Sequence, residues 1–187
     1  MLETYSPKER IKREAMRLFV EHGTDAVSMR DIADAVGMKA PSLYAHFRSR
    51  DELIGELFHA SYAAYGRQLA EAAAIPGGFR QRLEAMVRVA CALHAEDELL
   101  FNFLLLTQHG FLRQVPPTED NPVEVICRSV AAAMDAGEIP PGNATLLAGA
   151  IIGIIVQPAT FKLYGRLSQG LGELADQIVA LCLKVVS

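Results

Sequence analysis

Tryptophan is absent from this 187-residue chain and cysteine occurs only three times. Cys91, Cys127 and Cys182 lie far apart, each inside an apolar stretch with helical spacing. An odd count without paired spacing argues against a disulfide framework and implies reduced, buried thiols in the cytoplasm. Also missing is any run of Val, Ile and Thr alternating with polar residues, the pattern of a half-buried strand. Ala, Leu, Arg and Glu abound instead, and 51% of the residues are hydrophobic, enough to build a core. The expected fold class is all-α. The opening MLETYSPKERIKREAM holds no apolar segment, so no signal peptide is expected. No nucleophile, base and acid come together in the pattern, and neither a phosphate loop nor a dinucleotide fingerprint occurs, so catalysis is not expected. Cys91 and His94 stand at i, i+3, a spacing that metal sites use. No third and fourth ligand accompanies them, so neither a metal nor a cofactor is expected.

A net charge of -4 looks unfavourable for a partner of nucleic acid. Its distribution is uneven. Residues 1–50 carry nine Lys and Arg against seven Asp and Glu, while residues 51–187 carry nine against fifteen. A mildly basic head on an acidic body is compatible with DNA binding by the head.

Local signals divide the head into helices. SPKE (residues 6–9) is a capping box with Pro at the first helical position. Behind it Ile11, Ala15, Leu18 and Phe19 form one apolar stripe, and Gly23 follows as a stop. A second helix opens at Ser28, turns Ile32, Ala33 and Val36 inward, and stops at Gly37. A third begins near Lys39 or Ala40 and reaches Phe47, with Leu43 and Phe47 inward. A second capping box, SRDE (residues 49–52), opens a fourth that continues to about Ala74. Two short helices joined by a glycine turn, between two longer ones, make a helix-turn-helix. Helical spacing of about 100° per residue turns Pro41, Ser42 and Ala45 away from the apolar side, flanked by Lys39 and His46. Small residues at the tip let a helix enter a major groove, and flanking donors can hold phosphates.

The segment SMRDIADAVGMKAPSLYAHFRSRDEL resembles the DNA-binding region of the TetR family of transcriptional regulators. The resemblance rests on Ser28, Ile32-Ala33, Gly37, Leu43-Tyr44-Ala45-His46-Phe47 and Arg50-Asp51-Glu52-Leu53. It departs from the family pattern at Arg50, where Lys is usual, and at Ala40-Pro41, where a Lys-Gly pair is common. Chemistry and resemblance together assign Tyr44, His46 and Arg50 to phosphates, with Ser28 and Arg30 on the same backbone. Lys39, Pro41, Ser42 and Ala45 are the candidates for base edges, and Ala45 can touch a thymine methyl.

The remaining residues read as a helical body, giving about nine helices in all. The division expected is a DNA-binding head over residues 1–50 and an effector-binding and dimerisation body over residues 51–187. Residues 98–112 are apolar almost all round and should be buried. Residues 113–122 read as a loop. Residues 144–161 carry no charge and approach the roughly 20 apolar residues of a membrane span. Gln157-Pro158 should interrupt them, and no comparable segment exists, so no membrane partner is expected. The resemblance implies instead that the last two helices pair with a second copy, and GAIIG within residues 149–153 is a small-xxx-small contact. Leu171, Leu174, Ile178, Leu181 and Val185 of the last helix repeat at spacings of a bundle face. The resemblance further implies a homodimeric repressor of a palindromic operator in double-stranded DNA, released by a small apolar effector. Met86, His94, Phe101, Phe103, Gln108, His109, Phe111 and Gln157 are the candidates to line the effector cavity.

Overall fold

A computed structural model of the chain describes residues 6–111 and 121–187. Among the described residues the secondary structure is entirely helical: α1 (Pro7–His22), a single 3-10 turn (Thr24–Ala26), α2 (Met29–Ala35), α3 (Ala40–Tyr44), α4 (Arg50–Ala73), α5 (Phe79–Glu96), α6 (Glu98–Phe111), α7 (Pro122–Asp135), α8 (Ala144–Leu163) and α9 (Leu171–Val185). Ser6 Oγ accepts from Glu9 N at 3.2 Å and Glu9 Oε2 accepts from Ser6 N at 2.8 Å, the reciprocal box expected at the start of α1. Ser28 and Asp31 repeat that arrangement at α2. At α4 only half of the expected box forms. Ser49 Oγ caps Glu52 N at 3.1 Å, but the Glu52 carboxylate reaches one residue further back, to Arg48 N at 2.6 Å. One more donor ahead of the helix is thereby satisfied.

The head is built on a core of Ile11, Phe19, Ile32, Leu43, Phe47 and Leu53, none more than 1% exposed. The turn between α2 and α3 needs Gly37, whose φ of 70° lies in the left-handed region that a Cβ penalises. α3 is shorter than its apolar pattern suggests: regular helix ends at Tyr44, and residues 45–46 form a turn that brings Phe47 back into the core.

The body core gathers Phe79, Leu83, Val87, Val130, Ile151 and Ile178 from α5, α7, α8 and α9. α9 approaches α5 closely because Gly172 leaves room; a Cβ there would lie 2.9 Å from Ala95 Cβ. Pro158 does not interrupt α8, which runs through it to Leu163. Proline removes a single helical donor and is tolerated when the surrounding turns are held by packing, here by Ile155 and Ala159 in the body core. The apolar repeat of α9 splits: Leu171 and Ile178 are buried, whereas Leu181 and Val185 are exposed. α8 is long and apolar enough to cross a membrane, yet one face of it packs on the body core, through Ala148, Ile151, Ile155 and Ala159. Its opposite face, Leu146, Gly149, Ala150, Gly153, Gln157 and Phe161, is an exposed stripe at helical spacing.

Nothing lies within 4 Å of a Cβ built on Gly37, so the cost of replacing it is strain alone. Gly37→Ala should lower stability by about 1–2 kcal/mol in chemical denaturation, and Gly37→Asn by less, since Asn tolerates that conformation better. Equal losses for the two would mean that backbone strain is not the cause.

Candidate nucleic-acid interface and body cavity

Leu43 is fully buried and Phe47 is 1% exposed. Between and around them Lys39, Pro41, Ser42, Tyr44, Ala45 and His46 are all exposed, as are Ser28 and Arg30 at the start of α2. The two apolar side chains anchor α3 while the polar ones face outward. The side chains of Lys39, Tyr44 and His46 make no hydrogen bond or ion pair among the described residues. Tyr44 is 52% exposed, so its ring and hydroxyl are open to a partner. Ser28 differs: its hydroxyl donates to Asp31 Oδ2 at 2.7 Å and caps Asp31 N, which leaves its backbone end of α2 as the accessible feature. The hydrogen bonds from Ser28 hold the Asp31 carboxyl below its ordinary value.

Arg50 is only half-exposed and engaged within the chain. Its Nη1 donates to the carbonyls of Thr24 at 3.2 Å and Asp25 at 3.3 Å, and its Nε and Nη2 reach Asp51 Oδ1. It ties the start of α4 to the turn between α1 and α2. The same side chain borders a cleft whose far wall is Leu106, Thr107 and Phe111 of α6.

In the body, α4, α5, α6, α7 and α8 border a half-open cavity in two lobes of about 60 and 70 Å³. Tyr62, Tyr65, Gln108, Ile155 and Val156 line both lobes. Leu93, Phe101, Leu104 and Leu105 close one lobe; Pro122, Val123, Ile126 and Ile152 close the other. Tyr62 is 6% exposed and its hydroxyl has no hydrogen-bond partner among the described residues. Burial, with a smaller contribution from Glu124, pushes that phenol up to about 12. Burial raises Tyr65 as well.

Of the body candidates, Phe101 and Gln108 line the cavity. His94 stands behind Phe101 in an edge-to-face contact of 5.3 Å, and Met86 lies in the body core. Phe103 belongs to the head core, 6.3 Å from the Phe19 ring, and Phe111 stacks on Phe58 at 4.9 Å. Gln157 points away from the cavity on the exposed stripe of α8. The His109 side chain is outside the described residues, as is most of the loop expected over residues 113–122. Sequence reasoning missed Tyr62 and Tyr65. The available signal was the aromatic spacing inside α4, where Tyr62 follows Phe58 by one turn.

Comparison with known proteins agrees with this geometry. Residues 11–57 match the family described as bacterial regulatory proteins, tetR family. Over 40 residues the chain is 48% identical to the HTH-type transcriptional repressor ComR of Escherichia coli K12, covering 21% of this chain and 19% of that protein. Over 43 residues it is 46% identical to the repressor KstR2 of Mycobacterium tuberculosis, covering 23% of this chain and 22% of that one. The matched part thus spans about a fifth of these curated relatives. Likeness of fold extends much further. The ketosteroid transcriptional regulator KstR2 of M. tuberculosis superposes with a TM-score of 0.79 at 16% identity, covering 99% of this chain and 97% of that one. A tetR-family regulatory protein from Rhodococcus RHA1 gives 0.79 at 20% identity, with 98% of each chain covered. Residues 11–57 thus carry the likeness to the TetR family, and beyond them the chain shares the fold of these solved structures.

His94 supplies a pH test of the packing around the cavity. It is 2% exposed, with Nε2 unpartnered and 3.9 Å from Glu98 Oε1, and Lys162 approaches the same Glu98 at 3.2 Å from α8. Burial holds the imidazole below its ordinary 6.5, outweighing the opposing pull of Glu98. Unfolding therefore takes up a proton in acid. The stability from neutral His94 is fully present above pH 6.5 and declines as pH falls through that value towards the lowered folded one. The urea midpoint should drop between pH 7.5 and 5.5, and His94→Gln should flatten that slope. An unchanged slope would assign the acid sensitivity to other groups.

Proposed function

We propose that the chain is a cytoplasmic, homodimeric transcriptional repressor that binds a palindromic operator and is released by a small apolar effector. The observation that carries this reading is the set of exposed Lys39, Tyr44 and His46 side chains, without partners among the described residues, around the buried anchor of Leu43 and Phe47. Residues 1–50 act as the DNA-binding head and residues 51–187 as the effector and dimerisation body. Lys39, Pro41, Ser42 and Ala45 meet base edges, while Tyr44, His46, Arg30 and the α2 end at Ser28 hold the sugar-phosphate backbone. Arg50, bound to the Thr24 and Asp25 carbonyls and to Asp51, sets the angle of the head and has one N–H left over for a phosphate.

Dimerisation is supported by the exposed stripe of α8 with Leu181 and Val185 beside it on α9. Phe161 is 45% and Leu146 71% exposed, and Gly149 and Gly153 have open space where side chains would stand. Small residues let two such helices approach closely, and a two-fold axis there presents two heads to half-sites about 34–36 Å apart. The effector reaches the head through aromatic contact. Tyr62 lines the cavity and stacks on Phe58 at 5.0 Å, and Phe58 stacks on Phe111. A ligand that displaces Tyr62 shifts the base of the head core. A coupling of about 1–3 kcal/mol suffices for a switch, and operator DNA must weaken effector binding by the same factor.

The direct test is a gel shift with the upstream region of the protein's own operon. The expected result is a discrete complex at low ionic strength; no complex with any neighbouring fragment would remove the regulator reading. Arg30→Ala should lessen the slope of log affinity against log salt by about 0.9 for each phosphate that a head no longer neutralises. Lys39→Ala and Ser42→Ala should instead change preference among operator variants, by about 1–3 kcal/mol per base pair read. Arg50→Ala should lower the unfolding midpoint as well, because it unties α4 from the turn at Thr24 and Asp25; a parent-like midpoint would deny it that structural part.

A further inference from the structure

We infer that the body cavity is built for a slender, uncharged molecule, an aliphatic chain carrying one oxygen that accepts a hydrogen bond from Tyr62. The inference rests on the reading of the body as an effector-binding unit and names the class of effector.

Four features of the cavity carry it. The first is the lining. Among the described residues no Asp, Glu, Lys, Arg or His borders either lobe, and apart from Tyr62, Tyr65 and Gln108 every lining side chain is a hydrocarbon. Among these residues a buried carboxylate or ammonium would find no counter-charge, and burying an ion without one is strongly unfavourable. The second is Tyr62 itself: a lining residue, more than nine-tenths buried, whose hydroxyl has no hydrogen-bond partner among the described residues. A buried phenol nearly always finds one, so a ligand oxygen is the natural complement. The third is Gln108, whose Nε2 donates to the Leu105 carbonyl at 3.1 Å. That leaves its Oε1 as an acceptor, able to take the proton of a ligand hydroxyl while Tyr62 donates to the same oxygen. The half-buried Glu124 adds to the sign, since its charge acts on the Tyr62 hydroxyl against any negative charge formed there.

The fourth is shape. The lobes, at about 60 and 70 Å³, together remain below the roughly 150 Å³ cavity that accepts one benzene, which limits the ligand to a chain of about four carbons. Fused rings do not fit either lobe. The lobes share Tyr62, Tyr65, Gln108, Ile155 and Val156 as a common waist, so a chain of methylenes can thread from one to the other with its oxygen at the tyrosine.

The test is calorimetric titration of the full chain at pH 7.5 with four probes of equal length: butan-2-one, butan-1-ol, butanoate and butylammonium. The ketone or the alcohol should bind at least about tenfold more tightly than either ion, since an unpaired buried charge costs far more than one missing hydrogen bond. Tyr62→Phe should weaken the ketone by roughly 2- to 10-fold, the range for one neutral hydrogen bond. That variant loses only an unpartnered hydroxyl, so its unfolding midpoint should be no lower than the parent's, and weaker binding is then not a failure to fold. Tighter binding of butanoate or butylammonium, equal binding of the ketone to parent and Tyr62→Phe, or no binding of any probe would overturn the inference. Gel shifts without probe keep the two readings apart. DNA binding without selective uptake of the neutral probes removes only the effector class; selective uptake without DNA binding removes the repressor and leaves the cavity chemistry standing.

Discussion

The arrangement depends on one helix belonging to two cores. α4 is 24 residues long, about 36 Å at 1.5 Å per residue. Its first turns give Leu53, Ile54, Leu57 and Phe58 to the head core, and its last give Leu69 and Ala72 to the body core. Tyr62 stands where the two meet, in the head cluster by packing and on the body cavity by position. A straight α-helix transmits a displacement along its axis better than a loop would, so head and body cannot shift independently of this rod. Lys12 and Lys8 from α1 both reach Glu56, at 2.7 and 2.9 Å, and hold its carboxyl below the ordinary range. They bind α1 to the rod on its outer side while Phe58 holds it from within.

α6 is the second joint, and its apolar sequence conceals how it is used. Phe101 and Phe103 lie two residues apart, about 200° around the helix. One turns to the cavity and the other into the head core. The same apolar residue type serves opposite neighbours, which is why the segment is hydrophobic all round rather than on a stripe.

This explains how much could be read in one dimension. Helix starts were legible because caps are local: Ser6 with Glu9 and Ser28 with Asp31 act within four residues. The head was legible as a unit because its anchors, glycine turn and outward polar residues are all encoded within one short segment. The cavity was not. Met86, Phe103 and Gln157 have the composition of lining residues, but which face of a helix meets which neighbour is decided by packing between segments far apart in sequence. Tyr62 and Tyr65 were hidden for another reason, because a helix read only by its cap and its length draws no attention to its inner face. Pro158 misled for a related reason. The local penalty of proline is real, yet burial of Ile155 and Ala159 on either side of it keeps the helix continuous.

Asp97 sits at the junction of α5 and α6, where it caps Leu100 N at 2.9 Å and receives Arg13 from α1 at 2.5 Å. Both side chains of that pair remain partly open to water, at 44% and 29%. Such a pair is weakened by dissolved ions, which screen charges over about 8–10 Å at ordinary ionic strength. On the reading proposed above, salt has two targets in this protein: the counterion cloud of a bound duplex and the fastening between head and body. Osmotic stress in a cell would reach both together, making a head that grips less also a head that swings more.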